Sequence, residues 1–176
     1  IFLGTGTSTG VPQIGCTCPV CTSKDIRDNR LRTSALLVTD AGTRILFDCS
    51  PDFRQQMLRR DFHPLDAVLI THEHYDHVGG LDDLRPFGLF GGMHIYAEPF
   101  CLRHLKERLP YCFAEHLYPG VPRLELRPIE AGEAFFVKGQ RILPLRVMHG
   151  RLPIVGFRVN DLAYITCLLY TSDAAA

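Results

Sequence analysis

Seven residues constrain the fold of this chain most: Thr71-His72-Glu73-His74-Tyr75-Asp76-His77, which set three imidazoles and an aspartate within six positions. The apolar run Ala67-Val68-Leu69-Ile70 leads into them, and Val78-Gly79-Gly80 follows. A short apolar run between polar segments predicts a buried strand. A strand that ends on imidazoles delivers them to a rim. Imidazole and carboxylate together are a donor set for zinc, manganese or iron. A lone His-x-His would say little. His-x-His-x-Asp-His after such a strand requires other parts of the chain to converge on the same rim.

His149 is the first candidate to do so. It follows the longest β-rich run, residues 141–148, and repeats the strand-end placement of His72. Alternate residues of a bent extended segment share a side, so His72 and His74 can meet one ion. His149 completes a three-imidazole site that leaves a position for water. Asp76 and His77 begin the next element and can reach a second ion. Two ions that share a water make hydroxide at neutral pH and clamp both oxygens of an in-line displacement. Such chemistry suits a phosphodiester, an amide or a thioester. Asp76 is the catalytic candidate, placed to orient that water or accept its proton. Asp48 closes the run 44–47 and is badly placed for a core, so its expected task is to orient a metal ligand.

A second cluster lies upstream. Cys16-x-Cys18-x-x-Cys21 offers three thiolates to one structural zinc, with the fourth ligand coming from elsewhere. The chain has seven cysteines, an odd number, and three of them crowd into six positions. That pattern predicts metal binding in a reducing cytoplasm rather than a disulfide scaffold. The glycine-rich turn Gly4-Thr5-Gly6-Thr7 lacks a following Gly-Lys-Ser/Thr, so it reads as a tight loop near a site rather than a nucleotide loop.

At 176 residues the chain fits one domain. Strands are predicted at residues 1–3, 34–39, 44–47, 67–70, 93–97, 124–127, 134–137, 141–148, 154–159 and 162–165. Helices are predicted from an N-cap at Ser50 with Pro51 in the first turn, over residues 81–84 closed by Pro86, and over 98–109. Two groups of strands around short helices predict a layered α/β domain. The long loop 110–122 offers Tyr111 and His116 as substrate contacts. Lys plus Arg and Asp plus Glu both number 19, so no global positive field favours nucleic acid as a partner, although a local contact stays open. No apolar run nears the roughly 18 residues of a membrane span. A homo-oligomer is neither required nor excluded.

The motif His72-x-His74-x-Asp76-His77, with Asp48 and His149 in order, resembles the metallo-β-lactamase superfamily. The resemblance runs from residue 1 to about residue 166 and implies an αββα four-layer sandwich with a dinuclear site at one edge. The Gly4-Thr5-Gly6-Thr7 turn resembles the phosphodiesterase branch, which includes transfer-RNA 3′-processing endonucleases. Cys16-x-Cys18-x-x-Cys21 is similar to the PhnP-type phosphodiesterases, which open a phosphoribosyl cyclic phosphate. A relative from pyrroloquinoline quinone biosynthesis carries a similar cluster. The resemblance implies two divalent ions (zinc or manganese, with iron as a further choice), one structural zinc, and hydrolysis of a small phosphodiester. The alternatives are a transfer-RNA nuclease, a thioester hydrolase, or a zinc-stabilised binding protein without catalysis.

The end of the chain departs from that pattern. The family continues a strand like residues 162–166 into a metal-bridging aspartate. Here Cys167 stands in that place, and residues 167–176 resemble translated sequencing-adapter read-through. The expectation is a domain over 1–166, incomplete at the C-terminus, followed by a non-native tail, with impaired activity in this piece. The bridging aspartate, a late metal histidine, the general acid and the fourth ligand of the cysteine site would then lie beyond it. Asp173 is a poor substitute bridge.

Overall fold

Apolar residues at alternate positions build two sheets, seen in a computed structural model that describes residues 1–168. The first sheet has six strands in chain order: β1 (Phe2–Gly4), β2 (Ser34–Val38), β3 (Arg44–Phe47), β4 (Ala67–Leu69), β5 (Met93–Ala97) and β6 (Leu124–Pro128). β1, β2 and β3 pair antiparallel, whereas β3 through β6 run parallel. The second sheet is an antiparallel meander of β7 (Phe135–Val137), β8 (Gln140–His149), β9 (Leu152–Val159) and β10 (Leu162–Tyr164).

The period-two pattern of the strands sorts side chains onto the two faces of the first sheet. Leu36, Leu46, Val68 and Ile95 face the helices, where they join Phe53, Leu81, Leu84, Leu102 and Leu105. Ala35, Ile45, Phe47, Ala67 and Leu69 face the second sheet and meet Ile142, Val155 and Phe157. Among the described residues the layers are therefore helices, six-stranded sheet and four-stranded sheet. No helix among them is long and apolar enough to cross a membrane.

The parallel pairing of β3 with β4 brings their carboxyl ends side by side, the edge where open α/β sheets place ligands. Asp48 leaves β3 there, and residues 71–77 leave β4. The β8–β9 hairpin returns His149 to the same edge, and a bond from the Val155 N–H to the Thr71 carbonyl (3.2 Å) ties the sheets together beside it.

Two helical boundaries differ from the sequence expectation. Helix α1 spans Phe53–Met57 and does not begin at Pro51. The Ser50 hydroxyl accepts from the Asp52 N–H (3.3 Å) and from Gln56 Nε2 (3.1 Å), which holds residues 50–52 in a turn ahead of the helix. Pro86 does not close the segment that starts at Leu81; it sits inside a run of 3₁₀ turns, Leu81–Phe90. Leu81, Leu84 and Phe87 are all buried, and a repeat of three puts them on one face of a helix with three residues per turn. The other α-helices among the described residues are α2 (Tyr75–Val78) and α3 (Pro99–Arg108), with short 3₁₀ turns at Ile26–Asp28 and Pro110–Cys112.

Candidate metal centre

The motif is held by the glycines that follow it. A Cβ at Gly80 would lie 2.1 Å from the Ser50 carbonyl oxygen and 2.7 Å from Phe53 Cβ. Glycine therefore lets the end of α2 press against the exit of β3, where Gly80 N–H donates to the Cys49 carbonyl and Cys49 N–H to that of His77. His74 is extended (φ −60°, ψ 146°) and caps α2, so residues 72–74 fan out before the chain turns helical.

Asp48 is the hub. It is fully buried and adopts φ 54°, a left-handed conformation that is strained for a non-glycine residue. Its carboxylate accepts from the Thr71 N–H (2.8 Å), the Thr71 hydroxyl (3.1 Å), the Tyr164 hydroxyl (3.2 Å) and His77 Nδ1 (2.8 Å). Thr71 Oγ1 in turn lies 2.9 Å from His72 Nδ1. Both imidazoles thus use Nδ1 on this network and present Nε2 to the rim. That division fixes the tautomer of a metal-binding histidine.

His72, His74 and His149 each bring a donor atom within 4.8 Å of the others. His72 Nε2 and His74 Nδ1 are 3.1 Å apart. Two nitrogens on one tetrahedral zinc stand about 3.3 Å apart, so the spacing fits a shared ion. His149 Nδ1 is buried with no hydrogen-bond partner among the described residues, a state that a cation or a water relieves. A second group, His72, His77 and Cys167, meets the same distance criterion and shares His72 with the first. His77 Nε2 lies 3.2 Å from both Asp76 Oδ2 and Cys167 Sγ.

Burial and the neighbouring His77 charge hold His72 down to about 3, so it is a neutral donor. Burial also opposes charge on His77, but the Asp48 carboxylate outweighs it and lifts the ring to about 12. A divalent ion bound there would displace that proton. Asp76 pays a desolvation cost, yet its bond to His77 holds the carboxyl below the usual range. Burial and then Asp48 push the Tyr164 phenol far up, so it stays a neutral donor.

The three thiols of Cys16, Cys18 and Cys21 also lie within 4.8 Å of one another. Gln13 N–H points at Cys21 Sγ (3.4 Å) and Cys21 N–H at Cys18 Sγ (3.5 Å). The latter contact is the main reason the Cys18 thiol falls to about 7. Backbone N–H groups aimed at sulfur favour thiolates, the form that binds zinc; at Cys21 the Gln13 N–H works that way, but the neighbouring Cys16 and Cys18 outweigh it and push that thiol up. Among the described residues this group has three donors.

The structure thus brings His72, His74 and His149 together, sets Asp76 and His77 beside them, and puts Asp48 behind. Tyr111 goes elsewhere: its hydroxyl donates to Asp82 (2.8 Å), which also binds Arg85. His116 is exposed and makes no side-chain hydrogen bond among the described residues. Two participants escape the sequence reading, and a third stands at the position expected of a metal-bridging aspartate. Thr71 and Tyr164 are bonded to Asp48, and Cys167 reaches His77 although the expected tail begins with it. Asp173 lies outside the described residues.

Fold and site together define a mixed α/β protein that gathers metal-type donors at the carboxyl edge of its parallel strands, in the metallo-β-lactamase fold. Residues 43–176 match the beta-lactamase superfamily domain, and the chain belongs to that superfamily. It resembles the solved structure of a diphosphatase from the PhnP family, with 38% identity and a TM-score of 0.82 over 92% of this chain and 61% of that one. An octanoyltransferase of Porphyromonas gingivalis is 53% identical over 166 residues, 94% of this chain and 34% of that protein. A ribonuclease Z of Thermosynechococcus vestitus is 30% identical over 169 residues, 89% of this chain and 35% of that protein. The chain spans about a third of the length of these two curated relatives.

Proposed function

We propose that the protein is a metal-dependent hydrolase that cleaves small phosphodiesters, cyclic ones included. The observation that carries this reading is the pair of donor groups that share His72: His72, His74 and His149 on one side, His72, His77 and Cys167 with Asp76 on the other. His72, His74 and His149 would hold one divalent ion, and Asp76 and His77 would contribute to a second. Bound there, zinc, manganese or iron supplies Lewis acidity and activates water at neutral pH. Asp76 stands where it can orient that water or take its proton. Asp48 holds His77 directly and His72 through Thr71, so both rings would meet a metal ion without reorganising. Cys16, Cys18 and Cys21 would hold a zinc that orders their loop, and a cluster of unpaired thiols of this kind suits a reducing cytoplasm.

Likeness to the PhnP-family diphosphatase supports phosphorus chemistry. The octanoyltransferase likeness argues less for acyl transfer, because the shared stretch is 34% of that protein and its named activity need not lie in that third. A second reading, cleavage of precursor transfer RNA, draws on the ribonuclease Z likeness. Equal numbers of basic and acidic residues weigh against it.

The test is a substrate panel with added zinc or manganese: bis(p-nitrophenyl) phosphate, an acyl thioester and a precursor transfer RNA. Metal-dependent turnover of the diester is expected. Turnover of only the thioester or only the RNA overturns the proposal in favour of that substrate. Metal uptake without turnover of any of the three identifies a binding protein.

A further inference from the structure

At the end of β3 opposite Asp48 lies a cleft of about 450 Å³, whose lining includes Ile1, Arg44, Arg59, Arg60, Asp61 and His63. Arg27, Arg32, Arg85, Arg127 and Arg146 each reach a carboxylate within 2.8 Å. Among the described residues most other arginines form no such pair, but Arg44, Arg59 and Arg60 are three of these that line one cleft. The nearest acid along Arg44 is already used: Asp66 Oδ2 accepts from the Arg44 backbone N–H (2.8 Å), and Asp66 N–H donates to the Arg44 carbonyl (2.8 Å). Arg44 Nε is buried and has no hydrogen-bond partner among the described residues. That nitrogen is closed to solvent, so the cleft offers an anion the charge of the three guanidinium groups and not this donor.

We propose that this cleft binds a phosphate-class oxyanion, either inorganic phosphate or the phosphoryl group of a mononucleotide. Guanidinium groups present planar forks of donors that match tetrahedral oxyanions bidentately. Arg44, Arg59 and Arg60 supply three positive charges to one cleft, against the one carboxylate of Asp61, and Arg44 Nε–Hε reports on the guanidinium from within. β3 has four residues, roughly 13 Å of strand at about 3.3 Å per residue. One small diester therefore does not occupy this cleft and the histidine centre together. The site is separate from the hydrolytic one and stands or falls independently of it.

Side-chain ¹H–¹⁵N NMR tests the proposal through the Arg44 Nε–Hε resonance. Inorganic phosphate and AMP are titrated in turn, against chloride at matched ionic strength. A saturating shift with either anion supports the site, and the pair distinguishes free phosphate from a nucleotide phosphoryl group. The double variant Arg59→Gln, Arg60→Gln alters only exposed side chains, so folding is preserved, and it weakens the apparent affinity at least about fivefold. An Arg44 resonance that moves no more with phosphate and AMP than with chloride overturns the proposal. So does a double variant that binds as tightly as the wild type.

Discussion

The histidine centre and the cysteine loop both gather soft or borderline donors around a common point, but they are supported differently. Asp48, Thr71, His72 and His77 are 0–3% exposed and lie between the ends of β3 and β4 and the β8–β9 hairpin. Residues 11–30, which contain the cysteines, include no buried side chain, and Ile14 is wholly exposed. Burial and hydrogen bonds to Asp48 preform the first cluster. The second rests on a few turn bonds, such as Cys16 N–H to the Gln13 carbonyl and Thr22 N–H to that of Cys18. A segment that buries no apolar surface cannot offset the entropy of ordering it unless a ligand does. Losing metal should therefore silence the histidine centre while leaving its shape, and should disorder the cysteine loop while sparing activity.

His74→Ala gives the largest expected effect. His74 is exposed and contributes no core contact, so the variant should melt with the wild type. Losing one of three imidazoles should lower metal-dependent diester turnover about 10³-fold, near 4 kcal/mol. Calorimetry beside steady-state kinetics checks both halves. A large drop in melting temperature would mean the centre is not preformed.

Asp48→Asn comes next. An amide oxygen can still accept, but the charge facing His77 is gone and the NH₂ group confronts one of its former donors. Metal affinity should fall about 10- to 100-fold, as for other residues that orient metal ligands. Stability should fall by about 3 kcal/mol, because a buried charge partner is lost. Competition with a chelator and urea unfolding measure the two. Unchanged metal affinity would show that Asp48 serves the fold alone.

The parts of this centre differ in how legible they are from sequence. Donor types at a strand end are local features, so His72, His74, Asp76 and His77 can be grouped from their spacing. Asp48 and His149 can be added because each ends a run of β-forming residues, and parallel pairing then brings such ends to one edge. Tyr164 is different. It reads as one more half-buried strand residue, and only the stacking of β10 against Phe47 (ring centroids 4.9 Å apart) turns its hydroxyl to Asp48. Cys167 is legible by position, at the place of a bridging aspartate, but the foreign look of the segment after it assigns it to the tail, and only the structure shows its sulfur beside His77. Pro86 misleads because a proline closes an α-helix more surely than it closes a run of 3₁₀ turns. Tyr111 lies in a loop rich in aromatics, and nothing local says that its hydroxyl will meet Asp82.

Cys167→Asp sharpens the comparison from the other side. A carboxylate beside His77 is a harder donor than a thiolate and favours manganese over zinc. The ratio of manganese-supported to zinc-supported turnover should rise about tenfold. No change in that ratio would place Cys167 outside the second metal position. Replacing Cys16, Cys18 and Cys21 together by serine should leave turnover within about threefold, since their loop is not the reacting site. It should remove one zinc per chain by elemental analysis and open residues 12–25 to limited proteolysis. An equally resistant loop would mean that the turn bonds suffice without an ion.

The smallest effect belongs to the tie where that loop rejoins the body. Arg32 binds Asp52 through Nε (2.9 Å), Nη2 (2.6 Å) and its own backbone N–H (2.8 Å), at the start of α1. The guanidinium bond, working against partial burial, holds the Asp52 carboxyl below the usual range. A depressed folded-state value stabilises above the unfolded pKa and loses that contribution as pH falls through the folded one. Asp52→Asn should therefore cost about 1 kcal/mol at neutral pH. The gap from wild type should close as the pH drops below about 4, the unfolded aspartate value. Urea midpoints at pH 7, 4 and 3 read this out, and an equal gap at pH 7 and 3 would show that the charge is irrelevant. Because the bond anchors the stem and not the cysteines, proteolysis within residues 12–25 should be the same in both proteins. If Asp52→Asn opens that segment while zinc remains bound, the loop draws its order from the core after all, and the contrast with the histidine centre fails.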